Sequence, residues 1–86
     1  MMSEVSLRDR ARLHLRDGSI PNEVPRRVYG GPGVGARCQV CALPIRQDQS
    51  ELELQFFRDA VEKPHLDVFH LHTRCFAAWE LERRQG

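Results

Sequence analysis

The sequence predicts a small α+β domain organised around a metal site, and three observations carry that expectation. An amphipathic helical stripe opens the chain, a run of period two followed by a second β-rich run fills its middle, and two pairs of metal-ligating residue types flank those runs. At 86 residues there is room for one modest core, and domains of this size are commonly held by a disulfide or a metal. With 41% hydrophobic and 29% charged residues, the composition is neither that of a disordered tail nor that of a membrane span.

Three units are expected in order: an N-terminal amphipathic helix over residues 1–18, a Gly/Pro-rich connector over 19–37, and a metal-binding domain over 38–86. In the first, Leu7, Ala11, His14 and Leu15 fall on one helical face that must dock on something. Ser6 with Asp9 has the spacing of a capping box, and Gly18 followed by Pro21 supplies the stop. Arg8, Arg12 and Arg16 form a ridge at intervals of four, expected as a solvated face balanced by Glu4, Asp9 and Asp17. His14 reads as a packed, hydrogen-bonded histidine.

The connector holds Pro21, Pro25, Pro32, Gly30, Gly31, Gly33 and Gly35, and its GGPGVG lacks the G-K-[ST] ending of a phosphate loop, so it reads as a flexible lead into the first cysteine pair. In ELELQFF, Leu52, Leu54 and Phe56 alternate with Glu51, Glu53 and Gln55, which predicts a strand with one face buried. HLDVFHLH, residues 65–72, is a second strand with apolar residues on both faces, joined to the first through the polar RDAVEKP. A closing helix begins near Thr73, with Phe76 and Trp79 packing over the hairpin, Arg83 and Arg84 at its C-terminal end, and Glu80 and Glu82 as surface charge.

The chemistry lies in CQVC and HLHTRC. Cys38 and Cys41 stand two residues apart, and after thirty residues His72 and Cys75 repeat that spacing. Such pairs let two donor atoms of one tight turn face a single point, as tetrahedral coordination requires. A Cys3His set of soft thiolates with one imidazole selects Zn²⁺ over magnesium or calcium. His70 is the rival of His72, because strand alternation puts both on one side; the symmetry of the two spacings favours His72.

The order of cysteine knuckle, hairpin and ligand-bearing helix resembles the treble-clef zinc fingers. His72-Thr73-Arg74-Cys75-Phe76 is similar to the H-x2-C-F segment that ends the first zinc site of a LIM domain. The likeness spans about residues 36–84 and departs from LIM in having no second ligand set after Cys75 and a longer intervening stretch, so it implies a one-site treble clef without LIM-type partners. The leading helix and GGPGVGARCQVC also resemble small uncharacterised bacterial zinc-binding proteins, a likeness that supplies no activity.

Four protein ligands leave no position for a water, and neither H-E-x-x-H nor the deaminase pattern occurs, so the expected zinc is structural and no enzyme activity is expected. The charged N-terminus lacks the apolar core of a secretory signal, and an odd number of cysteines suits a reducing compartment, which together predict a cytoplasmic protein. Net charge is +1, and three thiolates with one Zn²⁺ bring it to about zero, so bulk charge announces no polyanionic partner. The expected role is a binding module for protein or nucleic acid in equal measure, with Arg8, Arg12, Arg16, Arg26, Arg27 and Arg37 as candidate phosphate contacts and no membrane association. The competing class is an enzyme: a thiol-redox protein using Cys38 and Cys41, or a metal hydrolase in which His70 exchanges with water.

Overall fold

A computed structural model describes residues 4–58 and 64–85, with the side chains of Glu4 and Val5 outside that description. The element order is α1 (Glu4–Asp17), β1 (Arg27–Pro32), β2 (Ser50–Arg58), β3 (His65–His72) and α2 (Thr73–Gln85). The strands form one antiparallel sheet in the order β1-β2-β3, giving an α+β fold. The turn expected between β2 and β3 falls on residues 59–63, outside the described residues.

Strand alternation sorts the sheet into two faces. Leu52, Leu54 and Phe56 of β2 lie beside Leu71, Phe69 and Asp67 of β3 on the inner face, where α2 covers them. Phe56 meets Trp79 edge-on at 6.3 Å and Phe69 at 5.6 Å, and Phe76 lies 5.7 Å from Trp79, so the aromatic lid expected over the hairpin is present. Helix α1 packs on α2 rather than on the sheet, and its buried Leu7 and Ala11 join the same core as Ile20, Ile45, Leu54 and Trp79.

Four expectations are corrected. The stretch 19–37 is no flexible connector: Arg27–Pro32 is an edge strand paired with Gln55–Ser50 of β2. At an edge, one side of the strand needs no ladder bond, so Pro32 and two glycines are tolerated, and the β-forming Val28 and Tyr29 were masked by the surrounding turn formers. Beyond it, the Gly33 N–H donates to the Gln49 carbonyl (2.8 Å) and the Gly35 N–H to the Ile45 carbonyl (2.9 Å). A Cβ on Gly33 would lie 2.1 Å from the Arg46 carbonyl oxygen, so only glycine fits this close crossing of backbones.

Second, α1 already includes Glu4, which puts Ser6 inside the helix instead of at its cap. Third, Glu82 is buried at 6% exposure, not a surface charge: Arg12 donates to it at 2.7 Å and Arg8 lies 3.5 Å away, while Arg12 stays half exposed and also pairs with Asp9 at 3.2 Å, as the ridge was expected to do. Fourth, Glu51 is equally buried, because His70 across the ladder covers its carboxylate. The expected stop of α1 is present, with Gly18 in the left-handed region (φ 80°).

Candidate metal centre

Between β1 and β2 the chain makes a tight knuckle. Arg37 and Pro44 bridge its two limbs, the Cys38 N–H donates to the Leu43 carbonyl (2.8 Å) and the Ala42 N–H to the Cys38 carbonyl (2.9 Å). Ala42 takes the left-handed conformation (φ 67°) that turns the chain away after the second cysteine. These bonds place the sulfurs of Cys38 and Cys41 on one side of the turn.

A backbone bond delivers the knuckle to its counterpart. The Gln39 N–H donates to the His70 carbonyl (2.9 Å), docking the turn on the free edge of β3 two residues before His72. His72 ends β3 and Cys75 sits in the first turn of α2, so the strand-to-helix junction presents both toward the knuckle. The donor atoms of Cys38, Cys41, His72 and Cys75 all lie within 4.8 Å of one another, and all four residues are buried.

The His72 Nδ1 is 3.4 Å from the Cys41 sulfur and 3.9 Å from that of Cys75. A tetrahedral zinc with its usual bond lengths sets sulfur and nitrogen ligands about 3.6 Å apart, so these separations suit a four-coordinate ion. Electrostatics points the same way. Three sulfurs this close and this buried cannot all be thiolates unless a cation sits among them. With protein groups alone, a hydrogen bond from Cys75 holds Cys38 down to about 4, burial pushes Cys41 up, and Cys75 is pushed up chiefly because its proton is held in the hydrogen bond to Cys38.

Sequence reasoning missed the residue that orients the histidine. Gln49 Oε1 accepts the Arg46 backbone N–H (2.8 Å), which fixes that atom as the oxygen, and it also accepts His72 Nε2–H at 3.2 Å. With its proton on Nε2, the imidazole turns the Nδ1 lone pair to the sulfurs, and such outer partners hold a ligand's tautomer and ring angle. The only signal in the sequence was a polar residue just before β2, too common to single out. His70 lies outside the cluster: its Nδ1 meets Glu51 Oε2 at 2.6 Å on the outer sheet face. His14 is packed as expected, with Nδ1 2.6 Å from Ser19 Oγ and Nε2 donating to the Val40 carbonyl at 3.3 Å.

Among the described residues none of the three cysteines is in a disulfide, and no helix is long and apolar enough to cross a membrane. No family model matches the chain, and neither a curated protein nor a solved structure matches it.

Proposed function

We propose that this chain is a one-site treble-clef zinc protein in which Zn²⁺ on Cys38, Cys41, His72 and Cys75 is structural, and that the protein works as a binding module in a reducing compartment. The observation that carries the reading is the convergence of four buried soft donors from two distant segments to within 4.8 Å of one another, with His72 Nδ1 3.4 and 3.9 Å from two of the sulfurs. Its support for the treble-clef type is the chain order of knuckle, β2-β3 hairpin and α2, with one ligand pair in the knuckle and the other at the start of the helix. When bound, zinc supplies a fixed positive centre that neutralises the thiolates and pins β3 and α2 to the knuckle.

Two observations weigh against the enzyme readings. A redox dithiol needs an accessible sulfur, and Cys38 and Cys41 are buried. A hydrolase needs an exchangeable ligand, and His70 is engaged by Glu51 instead.

Native mass spectrometry of the intact protein should find one zinc per chain, and EDTA should remove it with a large loss of far-UV circular dichroism as the knuckle, β3 and the start of α2 come apart. A metal-free protein whose spectrum ignores EDTA would rule the reading out.

A further inference from the structure

The outer face of the sheet has no described element packed on it. Tyr29 of β1, Phe57 of β2 and Leu66 and Val68 of β3 share that face and stand between 44% and 47% exposed, an unusual concentration of large apolar side chains for so small a surface. Two guanidinium groups frame the rings. Arg26 sits over the Phe57 ring at 5.4 Å, and Arg27 donates to the Tyr29 hydroxyl at 3.1 Å. Around Phe57 these arginines, Gln55 and Leu66 enclose a shallow depression of about 270 Å³.

Charge pairing and ring contact together mark this place. Arg8 and Arg12 are tied to Glu82, Arg46 to Asp48, Arg58 to Asp67 and Glu23, and Arg83 to Glu80. Among the described residues Arg26 and Arg27, like Arg10, Arg16, Arg37 and Arg74, have no carboxylate partner, and of these six only Arg26 and Arg27 lie against the exposed rings of the outer face. Of the acids on this face, Glu51 lies toward the metal end and is held by His70, and Glu53, directly opposite Tyr29 in the ladder, accepts from the Gln55 amide (2.9 Å). Uncompensated positive charge therefore coincides with exposed aromatic rings at one end of an open sheet.

We propose that this face binds single-stranded nucleic acid, with bases stacking on Phe57 and Tyr29 and backbone phosphates held by Arg26 and Arg27. The inference rests on the reading of the protein as a binding module and names its partner. A single strand offers what the surface lacks: flat rings for exposed rings, and evenly spaced anions for guanidiniums. An acidic peptide would satisfy the arginines and leave the rings facing water. A duplex hides its bases, so it could use the arginines alone.

The test is fluorescence anisotropy of the full-length, zinc-loaded protein with a labelled mixed-sequence single-stranded RNA and its DNA counterpart, each about 12 nucleotides long. Two phosphate contacts predict a salt slope of about −1.4, and Arg26→Ala or Arg27→Ala should each flatten it by about 0.7. Tyr29→Ala and Phe57→Ala should each weaken binding about tenfold without changing the slope. Arg84→Ala, exposed on α2 away from the outer face of the sheet, should leave affinity unchanged. The proposal is overturned if the four face variants bind like wild type, if the duplex binds as tightly as the single strand, or if polyglutamate displaces the strand at equal charge concentration, which would assign the face to an acidic protein. Zinc content and circular dichroism measured on each sample keep the two readings apart: one zinc per chain with no binding defeats this inference alone, and binding by a folded, metal-free protein defeats the zinc reading alone.

Discussion

The two ends of the molecule are held by opposite kinds of interaction. At the helix end, α1 lays Leu7 and Ala11 on α2, and the buried Glu82 carboxylate receives Arg12 and faces Arg8, so apolar burial and opposite charges already favour the folded arrangement. The knuckle end instead gathers three sulfurs that repel one another when ionised, beside an imidazole that offers a lone pair. Ordinary contacts suffice for the first, whereas the second becomes favourable only with a cation at its centre. A polar contact joins them, His14 Nε2 to the Val40 carbonyl, so loss of metal should be felt first in the knuckle and only then in α1.

Protons should break the comparison most sharply. Cys38, held down to about 4 by the Cys75 hydrogen bond, is a thiolate at neutral pH, while Cys41 and Cys75 are pushed up and keep their protons. Zinc binding to three thiolates thus releases about two protons near neutrality. Because protons compete for the same sulfurs, lowering the pH weakens binding, by about a hundredfold per pH unit, with the Cys38 proton joining the competition only as the pH approaches 4. Competition with a chromophoric chelator across pH 6 to 8 measures the slope; a slope near zero would mean that the sulfurs are not the ligands. The α1-α2 contacts contain no thiolate, so any acid effect on them in this range should track the zinc.

Next in size is Gly33→Ala. Its Cβ would press on the Arg46 carbonyl, which belongs to backbone and cannot swing aside, at a cost of about 3 kcal/mol. The damage should concentrate at the knuckle, since the Gly33 N–H bond to Gln49 lies one residue from β2 and Gln49 holds His72. Chemical denaturation should show the midpoint falling, with zinc lost early in the transition.

That glycine also marks where the sequence could be read and where it could not. The ligand spacing, the alternation of ELELQFF and the stripe of α1 are local periodic signals, and each has its counterpart in the structure. β1 was invisible because an edge strand is made by its neighbour: in RVYGGP only Val28 and Tyr29 favour extension, and the glycines and proline beside them mask it until β2 offers its ladder. Glu51, Glu82 and Gln49 were hidden for a related reason. Each is a polar residue whose role depends on a partner 19, 70 or 23 residues away, and periodicity carries no information about such pairings.

A smaller effect sharpens the helix side. Glu82→Gln keeps the shape of the side chain and removes the charge, leaving Arg8 and Arg12 with a weak acceptor. Because Arg12 remains about half exposed, water compensates part of the loss, and the expected cost is about 1 kcal/mol. In a domain of this size that lowers Tm by about 4–8 °C. Zinc stoichiometry and the pH slope should not move, since Glu82 lies outside the ligand set.

The smallest effect contrasts the two ends in one conformation. Gly18 closes α1 and Ala42 closes the knuckle, both in the left-handed region, at φ 80° and 67°. At the helix end the residue that tolerates this geometry is already present, so Gly18→Ala should cost about 1 kcal/mol although nothing stands in the way of its Cβ. At the knuckle the alanine is strained by a similar amount, and its exposed methyl group contributes little packing in return. Ala42→Gly should therefore stabilise the protein, by about 0.5 kcal/mol once the greater freedom of glycine in the unfolded chain is subtracted. Slower zinc dissociation to excess chelator should accompany the gain, because the relieved turn carries Cys38 and Cys41. Opposite changes in Tm, the fall for Gly18→Ala about twice the rise for Ala42→Gly, with zinc release altered only by Ala42→Gly, would place that strain at the metal end.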